Sequence, residues 1–217
     1  VGTSHRTFHW FTCNRKVKFS RKKSDLHESQ LNFKLLKPLG IEVIPELSDI
    51  SGYYGMQADS QSALPVDKDP EKVNVILHPK SKGSAREWGV ENFGALIDLL
   101  PPEKYKIFIS GTEDDQKEMS CWLYQYKDKV EDITGKLTLE EFVQFIGQAD
   151  VLVAASTGPL HIAAALGKKA IGLYPPIRPM HPGRWKPVGI NAQVLVLDKE
   201  CEDCREGGIC KCMKAIK

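Results

Sequence analysis

Residues 155–166, Ala-Ser-Thr-Gly-Pro-Leu-His-Ile-Ala-Ala-Ala-Leu, set a small polar turn in front of a short apolar helix, directly behind the strand-like run Val151, Leu152, Val153, Ala154. A helix start leaves backbone N–H groups without intrahelical partners and carries the positive end of the helix dipole. Ser156, Thr157 and Gly158 are therefore placed to hold an anion, and phosphate is the usual guest. Gly158 lets a ligand approach the backbone, Pro159 suits the first helical turn, and His161 points back toward the same turn. The same residues also fit an ordinary strand-to-helix junction with a Ser/Thr cap.

Three earlier loops carry matching chemistry. The first, starting at His78 and Pro79, contains Gly83 and the polar groups Lys80, Ser81 and Arg86, suited to neutralising a diphosphate. The second, Ser110 to Glu113, offers a carboxylate able to accept both hydroxyls of a ribose. The third, Thr134 to Leu137, combines backbone polar groups with an apolar edge that can frame a base. Together the four loops describe a site for a nucleoside diphosphate. A P-loop kinase is disfavoured, because no Gly-rich string ending in Gly-Lys-Ser/Thr occurs, and a Rossmann oxidoreductase lacks its Gly-x-Gly-x-x-Gly turn. Group transfer from an activated, nucleotide-linked donor remains, with the departing diphosphate stabilised by Arg, Lys and a helix N-terminus rather than by a metal. No cofactor is expected.

These loops need a parallel sheet behind them. From Val73 onward, short apolar runs alternate with amphipathic patterns, the signature of an α/β fold. Strands are predicted at Val73–His78, 105–110, 130–133, 151–154 and 169–173, and helices at 90–100 and 114–126. Thr138 and Glu141 form a capping box that opens a further helix to Ile146, and the helix behind the polar turn runs to Leu166 with Gly167 after it. Residues 1–47 read as the remainder of another α/β domain, with a strand around Phe8 to Thr12 and a helix introduced by an Asp25/Glu28 capping pair before Leu31, Leu35, Leu36 and Leu39. Residues 48–72 form a turn-rich linker, 73–185 the nucleotide-binding domain, and 186–217 a Cys-containing tail.

The 217 residues carry a net charge of only +2, yet residues 1–37 hold nine lysines and arginines against Asp25 and Glu28, so the other 180 residues sum to about −5. Such a basic start suits nucleic acid, anionic lipid headgroups or a phosphorylated substrate. The aromatic residues among them, Phe8, Trp10, Phe11 and Phe19, run nearly continuously and are expected in a buried strand rather than in base stacking. No apolar run is long enough to span a bilayer. Cys13 and Cys121 are isolated and fit buried thiols in a reducing compartment, whereas Cys201, Cys204, Cys210 and Cys212 cluster with zinc-compatible chemistry but irregular spacing. Thiols or a disulfide fit that cluster better than zinc.

At this point the sequence resembles glycosyltransferase family 9, the lipopolysaccharide heptosyltransferases. The resemblance rests on His78-Pro79, Arg86 and Trp88, on Gly111 and Glu113, on Thr134-Gly135-Lys136 with Thr138-Leu139, on residues 156–167, and on the ending Cys212-Met213 with Ile216. It implies a GT-B fold of two Rossmann-like domains, the N-terminal one incomplete here, and inverting, metal-independent transfer from a nucleotide-sugar donor such as ADP-heptose to a lipopolysaccharide-core or other glycan acceptor. It also implies a cytoplasmic, bacterial cell-envelope enzyme, peripheral on the inner membrane, whose general base lies upstream of these residues. Carried over by position, Arg86, with Lys80 and Ser81 nearby, faces the diphosphate, Glu113 the ribose and Leu137 the base. Ser156, Thr157, Gly158 and His161 form the phosphate turn. Many heptosyltransferases carry Asp where Ser156 stands, which leaves the donor sugar open. Two other readings remain: a sugar-nucleotide epimerase of the same two-domain shape, and a nucleic-acid-binding module built on residues 1–37.

Overall fold

The β-branched runs and the helical periodicity after Val73 give the elements that their spacing predicts. The computed structural model describes residues 1–21, 24–59, 63–177, 180–197 and 210–217. The N-terminal segment contains β1 (Gly2–Thr3), α1 (His9–Thr12), β2 (Lys16–Val17), α2 (Glu28–Phe33) and α3 (Leu47–Ile50), with a 3-10 helix at Lys34–Leu39 that stops at Gly40 in the left-handed region. The larger unit contains β3 (Val73–His78), α4 (Val90–Leu99), β4 (Tyr105–Ile109), α5 (Glu113–Tyr126), β5 (Glu131–Asp132), α6 (Leu139–Gln148), β6 (Val151–Ala155), α7 (Gly158–Ala165), β7 (Lys169–Tyr174), α8 (Pro182–Trp185), β8 (Ala192–Val196) and α9 (Lys211–Lys214).

The strands from β3 to β8 form one all-parallel sheet in the order β5-β4-β3-β6-β7-β8. This is the doubly wound order that reverses direction at its centre, here between β3 and β6, where His78 sits beside Ala154. Alternate strand residues feed two cores, as a sheet covered on both faces requires. Val75, Leu77, Ile107, Ile109 and Val153 meet Phe93, Ile97, Met119 and Trp122 on one face. Ile76, Phe108, Leu152 and Ala154 meet Phe145, Ile146, Leu160 and Ala163 on the other.

Four sequence expectations need correction. Residues around Phe8 to Thr12 form a single helical turn, not a buried strand, and Phe8, Trp10 and Phe11 are exposed, Phe11 at 91%. A four-residue aromatic run carries no period that separates strand from helix, and local bonds decided it: Thr12 Oγ1 donates to the Phe8 carbonyl at 2.8 Å. The cap of α2 is His27 with Gln30, not Asp25 with Glu28. The His27 ring accepts from Ser29 N at 3.2 Å and Gln30 accepts from His27 N, which leaves the Glu28 carboxylate for arginines. The sheet also takes a sixth strand, β8, from beyond residue 185, so the expected boundary there does not coincide with the sheet edge.

The tail turns back over α4, where Trp88 Nε1 donates to the Ile216 carbonyl at 3.0 Å. Cys210 and Cys212 are buried in that core, while Cys201 and Cys204 lie outside the described residues. Among the described residues no group of three or more His, Cys, Asp or Glu is arranged to hold a metal ion. Cys121, expected to be buried, is exposed on α5.

The linker lies directly on α6. Asp59 N donates to Gln144 at 2.5 Å, and a Cβ added at Gly147 would overlap that of Ala58. Alanine at an exposed helix interior normally gains about 1 kcal/mol over glycine. Gly147→Ala is expected to show no such gain in urea unfolding and to increase proteolysis between Met56 and Asp59, because the linker must lift to admit the methyl group. A gain of the full propensity value with unchanged proteolysis would contradict this packing.

Candidate functional site

The loops that follow β3, β4, β5 and β6 open at the carboxyl edge of the sheet, on both sides of its reversal point, where parallel α/β sheets hold ligands. The turn after β6 is the most unusual. Thr157 occupies the N-cap position of α7 with extended backbone, but its side chain makes no capping bond, and its N–H donates to the Ala155 carbonyl at 2.7 Å. Its Oγ1 is buried with no hydrogen-bond partner among the described residues, and the residue is 5% exposed. An unsatisfied buried hydroxyl costs about 1–3 kcal/mol, so this arrangement is incomplete as a simple cap. Gly158 begins the helix, and outside its chain neighbours and its own helix backbone nothing lies within 4 Å of where a Cβ would stand. Open space, a helix start and an unpartnered hydroxyl thus meet at one point.

His161 follows within the first turn of α7. Burial lowers its pKa, and repulsion from the His27 ring, the N-cap of α2, acts in the same direction if both rings are protonated, so the ring is neutral at pH 7 and can donate one hydrogen bond. Ser156 directly follows β6 and is half-buried. At the end of β7 the buried Tyr174 hydroxyl donates to the Trp185 carbonyl at 2.5 Å.

The loop after β3 is organised by a residue that sequence reasoning passed over. Glu87 accepts from Lys80 Nζ and from Ser81 N, both at 3.0 Å, and Lys80 also reaches Glu118 at 2.9 Å. Burial opposes the Lys80 charge, but hydrogen bonds to Glu118 and Glu87 outweigh it and hold the ammonium above its usual pKa. Ser81 Oγ donates to the Ala85 carbonyl at 2.9 Å. In this state Lys80 and Ser81 therefore build the loop, and Arg86 stands half-buried next to Glu87. The only available signal was an acid inside a cationic loop, between Arg86 and Trp88.

The second and third loops are fastened together. Gly135 N donates to the Gly111 carbonyl at 3.0 Å, and Gly135, in the left-handed region, lets its backbone press against Glu113 at the start of α5. Thr112 caps α5 through Asp115, leaving the Glu113 carboxylate exposed beside the third loop. Leu137 is half-buried against the core, and Thr138 forms the expected capping box with Glu141. At the end of β3, His78 Nδ1 lies 3.0 Å from Ser110 Oγ, which joins the first loop to the second. Cys210 and Cys212 belong to the core beneath Trp88, in a different cluster from Leu160 and Ala163 of α7.

The N-terminal segment reaches the same edge through α2 and α8. Glu28 accepts from Arg184 Nε at 2.9 Å and from Nη2 at 2.8 Å, and pairs with Arg21. His27 Nε2 lies 2.9 Å from the Lys186 carbonyl.

The sequence profile of Glycosyltransferase family 9 (heptosyltransferase) matches residues 2–213. The chain belongs to this family. Family 9 relatives include lipooligosaccharide heptosyltransferase 2 of Campylobacter jejuni, 26% identical over 159 residues that cover 69% of this chain and 49% of the relative. Lipopolysaccharide heptosyltransferase 3 of Escherichia coli is 25% identical over 147 residues, covering 66% and 43%. The chain thus spans about half the length of the curated relatives it matches. Among solved structures, the family 9 glycosyl transferase of Veillonella parvula superposes with a TM-score of 0.64 at 20% identity, covering 92% of this chain and 57% of that one. The E. coli heptosyltransferase WaaC with ADP superposes with a TM-score of 0.57 at 21% identity, covering 83% and 52%. At these identities the likeness shows the fold, the GT-B type, with the Rossmann unit from Val73 onward and a smaller N-terminal part.

Proposed function

We propose that the protein is a glycosyltransferase that moves a sugar, with inversion and without a metal, from a nucleoside-diphosphate donor to a lipopolysaccharide-core or other glycan acceptor. ADP-heptose, or a donor similar to it, fits this reading. The observation that carries it is the unpartnered, buried Thr157 hydroxyl at the open start of α7, beside the sheet's reversal point. A phosphate there would accept from Thr157 and from the first-turn amides of α7, with His161 as a further donor. Arg86 and Lys80 supply positive charge to the departing diphosphate, the first half-buried and the second tempered by its two glutamates. Glu113, beside Gly135, is the group assigned to the ribose, and Leu137 to the base.

The acceptor side is assigned to the N-terminal segment. Its exposed Phe8, Trp10 and Phe11 stand among cations, with Lys16 4.9 Å from the Trp10 ring, a combination suited to a lipid-linked anionic acceptor at the cytoplasmic face of a membrane. No helix among the described residues is long and apolar enough to cross a membrane. Calorimetry with ADP, GDP and UDP tests the donor reading. Saturable binding of one of them is expected, and Arg86→Ala is expected to weaken it by about 1–3 kcal/mol through loss of a charge-assisted contact. No saturable binding of any of the three would remove the proposal.

A further inference from the structure

His78, the last residue of β3, stands where the four loops of the carboxyl edge come together. It leads directly into the first loop, and its Nδ1 lies 3.0 Å from Ser110 Oγ at the head of the second. Strand alternation puts its side chain on the face of Ile76, opposite Val75 and Leu77. There the ring stacks on Phe142 in the first turn of α6, just past the third loop, with centroids 6.4 Å apart and planes 29° from parallel. Ala154, its partner on the neighbouring strand, lies one residue before the end of β6, which feeds the fourth.

The bond to Ser110 fixes which ring nitrogen carries the proton. Ser110 Oγ also lies 3.3 Å from the Leu77 carbonyl oxygen, which can only accept. Ser110 owns one hydroxyl proton, so both bonds form together only when that proton goes to Leu77 and the ring donates from Nδ1. Burial pushes the His78 pKa down to about 4, and the neutral imidazole protonated on Nδ1 keeps a bare lone pair on Nε2. That atom has no hydrogen-bond partner among the described residues and, unlike Thr157 Oγ1, is not sealed from solvent. Phosphate oxygens would meet it lone pair to lone pair, so its match is a part of the ligand that donates.

We infer that His78 is a further donor-binding residue, accepting at Nε2 a hydrogen bond from a hydroxyl of the nucleotide sugar, on the ribose or on the sugar that is transferred. Ser110 acts as its positioning residue by fixing the tautomer. This inference rests on the donor-site reading above, and it sets an acceptor at the meeting point of the four loops, where Thr157 and Arg86 donate.

Long-range proton–nitrogen correlation spectra of the protein at pH 7 read the tautomer, and the Nδ1–H form is expected for His78; the Nε2–H form would overturn the assignment. Calorimetry then compares three ligands: ADP, GDP or UDP, whichever wild type binds, the same diphosphate lacking both ribose hydroxyls, and the same diphosphate carrying a hexose. His78→Asn keeps a donor near the Nδ1 position and removes Nε2, whereas the longer His78→Gln carries its amide out to the Nε2 position. If the hydroxyl is on the ribose, His78→Asn should weaken the bare diphosphate about three- to tenfold, the worth of one hydrogen bond, and leave the form without ribose hydroxyls within about twofold. If it is on the transferred sugar, the same loss should appear for the hexose-bearing form alone. His78→Gln is expected to recover part of the loss in either case. Equal losses for all three ligands, or none in any, would remove the inference. Should the variants not fold, the wild-type Nε2 resonance decides: it is expected to move on saturation with the hexose-bearing ligand, and an unmoved resonance removes the inference. Absence of nucleoside-diphosphate binding in wild type would remove the donor site and this inference together, whereas wild-type binding untouched by either substitution removes this inference alone.

Discussion

Gly158→Val is expected to abolish most nucleoside-diphosphate binding while leaving the fold intact. Gly158 is exposed, starts α7 with nothing outside its chain neighbours and its own helix backbone within 4 Å of where a Cβ would stand, and is absent from the residues with positive φ, so a valine side chain fits the free protein without strain. Its unfolding free energy should change by less than about 0.5 kcal/mol, as for other surface substitutions. The open space beside Gly158 is where a phosphate must lie to accept from the first-turn amides and from Thr157 Oγ1. A branched side chain there costs at least two charge-assisted bonds, about 3 kcal/mol or roughly a hundredfold in affinity. Calorimetry with ADP, GDP and UDP, paired with urea unfolding, separates the two effects. Wild-type affinity in a folded Gly158→Val protein would show that the phosphate lies elsewhere.

Stability is expected to fall as the pH drops below 6.5, and His78 should account for the largest share. Burial pushes its pKa down to about 4, against the opposing pull of Asp115 and Glu87. Above pH 6.5 neither the folded nor the unfolded form carries this proton, and the full stability is present. Between 6.5 and about 4 the unfolded chain binds a proton that the folded chain refuses, so stability is lost as the pH falls. The gap is worth about 2 kcal/mol at pH 5 and about 3 kcal/mol near pH 4. His27 and His161, both lowered chiefly by burial, act in the same direction. Urea unfolding at several pH values should show this slope in wild type and a shallower one in His78→Gln. An identical slope in the variant would assign the loss to other groups.

Much of this chemistry was legible in the residues because it is local. Thr138 and Glu141 cap α6 as their spacing requires, and the β3, β4 and β6 strands fall where their apolar runs place them. The polar turn before α7 could be recognised because a strand, three small polar residues and an apolar helix are contiguous in the chain. Groups joined across the chain were not legible. Glu28 meets Arg184 from 156 residues away, and no local pattern distinguishes that carboxylate from an ordinary helix-start acid. Glu87 took Lys80 and Ser81 as its own partners because a carboxylate next to backbone N–H and ammonium groups satisfies all of them locally. The exposed Phe8, Trp10 and Phe11 were misplaced for the opposite reason, since apolarity alone does not say whether a surface exists to bury it.

The sequence by itself determined the family, the parallel α/β unit and the four loops at its carboxyl edge, since periodicity and turn chemistry are written in consecutive residues. Only the tertiary structure decided what each polar group has left to offer. Hydrogen-bond capacity is finite, and packing spends it: Lys80 on two glutamates, the Tyr174 proton on Trp185, and none from Thr157. The chemistry of the site is what remains after those bonds are made.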